Sequence, residues 1–140
     1  MFERRALQVS IAIAALLPVV SGLWGITHGV SGDGWADNHH RYLCGLLLAI
    51  GLGYWSTVPR IEAMGARLRL LTALVMIGGV ARLVGLALGD AATAEVVAAL
   101  AMELGAAPFI CLWQMRVIPT ERPNSLGIAK LKPHLRPMMP

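Results

Sequence analysis

The sequence predicts an all-α fold: an integral membrane four-helix bundle with both termini cytoplasmic and an extended Pro-rich C-terminal tail. Three observations carry this reading. Apolar residues make up 56% of the 140-residue chain, charged residues 14%, and the mean hydropathy is +0.64, all displaced from soluble-protein averages toward membrane values. The apolar residues gather in four stretches, 6–30, 42–58, 68–88 and 91–118. Finally, ten of the 12 Lys and Arg fall on one side of those stretches.

A helix needs roughly 20 apolar residues to cross a hydrocarbon core. The expected transmembrane domain is therefore residues 1–118, with helices over about 6–30, 40–58, 68–88 and 91–118, followed by a tail over 119–140. The length allows one domain. The charged start, Met1 to Arg5, ahead of an apolar run looks like a secretory signal. The run is too long for a signal core, so we expect it to stay as the first helix. The second stretch is near the short limit and should stand upright or borrow flanking residues.

The first helix should end near Gly29, ahead of an outer loop at 31–38, with Trp24 and Trp35 in an interfacial belt. Asp37 or Asn38 suits the cap of the second helix, and Pro59 its end. The third and fourth helices meet in a tight turn, where Gly89 fits a left-handed C-cap and Asp90 the next N-cap. Tightness makes them antiparallel neighbours.

Orientation follows from the positive charges. Arg4, Arg5, Arg60, Arg67 and Arg69 share one side with Arg116, Arg122, Lys130, Lys132 and Arg136. The other side holds Arg41 alone, with Asp33, Asp37 and Asp90. The basic side is cytoplasmic. A pI near 9.7 then implies contact with anionic lipids and not nucleic acid, because the positives flank apolar spans. Cys44 and Cys111 lie near opposite membrane faces and cannot pair.

Membrane helices pack through small residues, and each helix carries a stripe of them. They are Ser10, Ala14, Pro18, Ser21, Gly25; then Gly45, Ala49, Gly53, Ser56; then Gly78, Gly85, Gly89; then Ala99 and Ala106. Arg41, Arg82, Glu95, Glu103 and His28 fall on the same stripes, which predicts a buried charge cluster. A charge at mid-span costs roughly 2.5–3.5 kcal/mol on insertion scales, so it should face the bundle. Helix rise puts Arg82 ~9 Å, Glu95 ~5 Å and Glu103 ~16 Å from the outer ends, within reach of an Arg82 pairing with either or both glutamates. Such a pair either fixes helix register or lines an outward polar pocket with the histidines and Arg41.

His39 and His40, with Asp33 and Asp37, are the only candidate ligand or metal set. Adjacent helical histidines diverge by about 100°, and neither a zinc spacing nor paired mid-membrane histidines for haem is present. No cofactor or metal is implied, and no catalytic motif is complete, so whether the chain is an enzyme stays open.

The tail holds five of eight prolines and Arg122, Lys130, Lys132 and Arg136. Prolines rule out a continuous helix, and the four basic residues point to partner or lipid contact.

The run from Asp37 through Arg41-Tyr42-Leu43 to Gly53, then Pro59-Arg60-Ile61-Glu62, then Gly78 to Gly85 around Arg82, resembles a bacterial family. These are uncharacterised small four-helix membrane proteins, a domain of unknown function similar to the DoxX-like group. The resemblance covers about residues 5–115; it implies a four-helix bundle in the inner membrane and no established activity.

Two functions are expected from these residues. One is a non-catalytic accessory or assembly subunit packing against a larger membrane protein complex, with the tail as a clamp. The other is a stand-alone bundle whose outward polar pocket, at Arg82 and Glu103, binds or moves a small molecule or proton.

Overall fold

The computed structural model describes residues 2–117, all in helices and short connections, with no strand among them. Four helices are long and apolar enough to cross a membrane: α1 (Phe2–His28), α2 (Gly34–Arg60), α3 (Gly65–Ala87) and α4 (Ala94–Val117). The architecture is that of a multi-pass membrane protein. The tail, and with it Arg122, Lys130, Lys132 and Arg136, lies outside the described residues.

Two expected boundaries need correction. α2 begins at Gly34, well before residue 40, because Asp33 and not Asp37 or Asn38 is its N-cap. The Asp33 carboxylate accepts from the Ala36 N–H at 2.7 Å, satisfying a donor that the first turn leaves free. The span is therefore 27 residues and not short at all. Likewise α4 is capped by Thr93, whose hydroxyl accepts from the Val96 N–H at 3.4 Å, and not by Asp90. Asp90 instead closes α3. Its N–H reaches the Gly85 carbonyl at 3.1 Å while the Gly89 N–H reaches Leu86 at 3.2 Å, the paired bonds of a Schellman turn. Gly89 sits at φ +110°, where a side chain would be strained.

α1 and α2 form one hairpin, α3 and α4 the other. In the first, backbones approach closely: a Cβ built on Gly22 would lie 2.7 Å from the Cys44 carbonyl and the Leu48 nitrogen. The seam runs through Gly22, Gly25, Cys44, Leu48 and Gly51; Gly25 is on its expected stripe, while Cys44 and Leu48 lie one residue off the expected Gly45 and Ala49. In α3 the close-packed glycine is Gly79, against Leu104, while the space beside Gly78 is open. Gly53 does meet α3, at Leu71.

The hairpins join at the end where α1 begins and α4 finishes. Leu7, Ile11, Ile61 and Leu68 are each at most 1% exposed and pack with Tyr54, Val58, Ile110 and Trp113. Pro59 cannot donate to the α2 ladder, so residues Val58–Arg60 tighten into a 3-10 turn, leaving carbonyls that other helices satisfy. Gln8 donates to the Val58 carbonyl at 2.7 Å and the buried Gln114 to that of Ile61 at 3.4 Å. Ile61 is 1% exposed, so a carbonyl left without a donor in this packed connector would cost free energy. Trp55 donates to the Ala12 carbonyl at 3.0 Å, and Tyr54 shares a hydrogen bond with Thr72 at 3.1 Å. Toward the other end, α1 beyond Ala15 packs on α2 and the first half of α4 packs on α3. There the hairpins diverge.

Candidate functional site

Two helix irregularities face each other where the hairpins part. In α1, Pro18 removes the N–H that the Ala14 carbonyl would receive, and the α-helical bonding is interrupted at Ala15 between Phe2–Ala14 and Leu16–His28, although Ala15 keeps a helical backbone and accepts from the Val19 N–H at 3.3 Å. In α4, residues Ala101–Ala106 form a π-helix, with the Ala107 N–H reaching back to Met102. Pro108 is the cause at hand. Its ring would clash with the carbonyl four residues earlier, Leu104, and a wider turn relieves that contact. Short π-segments inside α-helices recur at functional sites.

Between the irregularities lies a cavity of about 160 Å³ walled by all four helices. Ala14, Pro18 and Ser21 contribute from α1, and Leu47, Ile50 and Tyr54 from α2. Val75 and Arg82 close one side, and Ala99, Met102 and Glu103 the other. Leu17 lines the cavity and is 50% exposed, so the space reaches the protein surface.

Arg82 and Glu103 form the polar wall. Arg82 Nε donates to Glu103 Oε2 at 3.2 Å, and Nη2 donates to Oε1 at 3.1 Å. This two-bond fork is the strong geometry for an arginine and a carboxylate. The arginine side chain is 41% exposed and the glutamate 18%, so the pair is half-buried. Glu103 stands in the π-segment, ~14 Å along α4 from its start, and Arg82 ~8 Å from the end of α3, by helix rise.

The other members expected in the cluster are elsewhere. Glu95 is in the exposed first turn of α4, while the Arg82 fork is filled by Glu103. Arg41 has a nearer carboxylate on its own helix. Its Nε donates to Asp37 at 2.8 Å, and Nη1 donates to the Ile26 carbonyl. Asp37 also accepts from the Val30 N–H at 2.9 Å, so this pair ties the α1–α2 loop together beside Gly29, at φ +66°. His28 is exposed and stacks on Trp24, ring centroids 3.6 Å apart. The expected five-residue cluster is thus one ion pair plus three residues near the loop end.

His39, His40, Asp33 and Asp37 do not converge either. His39 stacks between Trp35 and Tyr42, His40 Nε2 lies 3.4 Å from Cys44 Sγ, and both aspartates are engaged as above. Among the described residues no three His, Cys, Asp or Glu side chains are placed to share a metal ion. Cys44 and Cys111 are free and buried.

Sequence reasoning reached Arg82 and Glu103 through their stripes but passed over what surrounds them. The readable signal was two prolines, Pro18 and Pro108, inside apolar spans. The Gln8 and Gln114 bonds gave no local sign.

A family profile described as a domain of unknown function (DUF4345) matches residues 6–114. The chain belongs to that family. No curated protein and no solved structure gave a match.

Proposed function

We propose, for this member of a family of unknown function, that the bundle binds a small, largely apolar molecule drawn from the bilayer into the cleft beside Arg82 and Glu103. The observation that carries the reading is convergence. A proline break, a π-segment and a forked ion pair meet on one cavity that reaches the surface. Apolar pockets with a few placed polar groups are the usual form of small-molecule sites, and bundles hold them between helices. The test is extraction of the protein purified in mild detergent. The wild type should release a small apolar compound to organic solvent, and Ala99→Phe, which fills the cavity, should not. An identical extract from a folded Ala99→Phe protein refutes the reading.

The same proposal places the chain in a bacterial inner membrane, akin to the DoxX-like group, with both termini cytoplasmic. It rests on the ten-to-one split of basic residues outside the spans. With Cys44 and Cys111 replaced by Ala, an impermeant thiol reagent should label Asp33→Cys but not Asn124→Cys in intact cells. Labelling at 124 overturns the orientation.

A second reading is an accessory subunit of a larger membrane complex, with residues 119–140 as its clamp on the partner or on anionic lipids. One feature favours it: Ala94, Ala98, Ala101 and Gly105 form an exposed run of small residues along α4, the kind of face on which membrane helices dock. Truncation after Pro119 should then leave the bundle inserted but weaken its retention. Equal co-purification of partners by both lengths rejects the clamp.

A further inference from the structure

The chemistry of the cleft narrows what it takes, granted the binding reading above. Its size is the first constraint. About 160 Å³ is close to the ~150 Å³ of an apolar protein cavity that accepts benzene, so one six-membered ring or a branched chain of similar bulk fills it.

Charge is the second constraint. Arg82 and Glu103 sum to zero and already satisfy each other through two bonds. An anionic occupant would leave a net negative charge inside an apolar span, and a cationic one a net positive charge; either is costly at that depth. An uncharged occupant leaves the balance intact.

Hydrogen bonding is the third. Arg82 Nη1 has no acceptor among the described residues, and each Glu103 oxygen accepts one N–H while a carboxylate oxygen can accept two. Of the five guanidinium N–H groups the fork uses two, so the pair offers three donors, two of them on Nη1, together with free acceptor sites on Glu103. A hydroxyl can use either kind of site, donating or accepting, whereas a carbonyl can only accept. The remaining wall is mostly apolar: Ala14, Pro18, Ile50, Val75 and Met102.

We infer that the cleft holds the head of an uncharged, hydroxyl-bearing, lipid-soluble molecule. Its ring or short branched chain lies among the apolar residues and its hydroxyl hydrogen-bonds the Arg82–Glu103 pair, donating to a Glu103 oxygen.

Phenol, toluene and benzoate share one ring and separate the three constraints. Binding to the full-length chain in detergent is read by saturation-transfer NMR, and the cavity-specific part is the signal that Ala99→Phe removes. Phenol should show such a signal, about ten-fold tighter than toluene, and benzoate none. In the Arg82→Gln, Glu103→Gln double variant, with helicity checked by circular dichroism, the preference for phenol should fall to two-fold or less. Toluene binding as tightly as phenol shows that the hydroxyl is not read. Benzoate matching phenol shows that the site admits anions. Either result overturns this inference and leaves the binding reading standing. If Ala99→Phe removes no signal from any probe, both fall together.

Discussion

The bundle has one end where α1 begins and α4 finishes and another with the two hairpin loops, and only the first is closed. At that first end Leu7, Ile11, Ile61 and Leu68 interlock across both hairpins, and Gln8 and Gln114 reach over to the connector carbonyls. At the loop end each hairpin is tied internally: the first by Asp37 and Arg41, the second by Arg82 and Glu103. Lipid chains solvate leucine as well as another helix does. Apolar surface alone therefore gives no reason to close, and what joins the hairpins is packing plus hydrogen bonds that have no other outlet. At the open end the hydrogen bonds and ion pairs run within each hairpin, and none crosses the gap among the described residues.

Truncation separates the two ends most sharply. Leu7→Ala should destabilise the fold by about 2 kcal/mol, the low end for a buried leucine because lipid replaces part of the lost contact. Leu47→Ala, on the cavity wall, should cost under about 0.5 kcal/mol, since its neighbours are already spaced apart. Unfolding in mixed micelles measures both. Equal losses would mean that the ends are equally packed.

Gln8→Leu leaves the Val58 carbonyl without its donor, an effect of about 1–2 kcal/mol. Gln114→Leu should cost less than Gln8→Leu. The buried Gln114 Oε1 has no partner, so removing that side chain also removes an orphaned acceptor. The order of the two unfolding midpoints checks this, and the reverse order would deny the connector its role.

The ion pair at the open end is expected to contribute modestly. Arg82→Ala strands a half-buried carboxylate and should cost about 1 kcal/mol, less than for a fully buried pair. Adding Glu103→Gln should recover part of it. An unchanged thermal midpoint for Arg82→Ala would show that the pair contributes nothing to holding α3 on α4.

The four spans were legible because length and hydropathy decide them. Gly89 was legible because a tight turn between helices demands a left-handed residue. The boundaries of α2 and α4 were not, since Asp33 and Thr93 each compete with a plausible neighbouring cap. Depth and face alone brought Arg82 to either Glu95 or Glu103, and only the structure selects Glu103. Arg41 was misassigned because its partner, Asp37, lies one turn away on the same helix, a local match that outweighs any across the bundle. Gly25 lies in the seam as its stripe predicts, but Gly22, Cys44, Leu48 and Gly51 fell off the expected face, since several interleaved small residues offer more than one stripe and only shape complementarity selects between them. The cavity was hidden for a different reason. It depends on where two prolines displace backbone, and that is a property of the pair of helices together.

The Arg82–Glu103 pair also bears on how the chain is made. The two residues are 21 positions apart, so the ribosome delivers the arginine first and its carboxylate about 1–4 s later at 5–20 residues per second. During that interval α3 holds an unneutralised charge. It should leave the insertion machinery only when α4 arrives to complete it, whereas the first hairpin, sealed by glycines, can enter the lipid early.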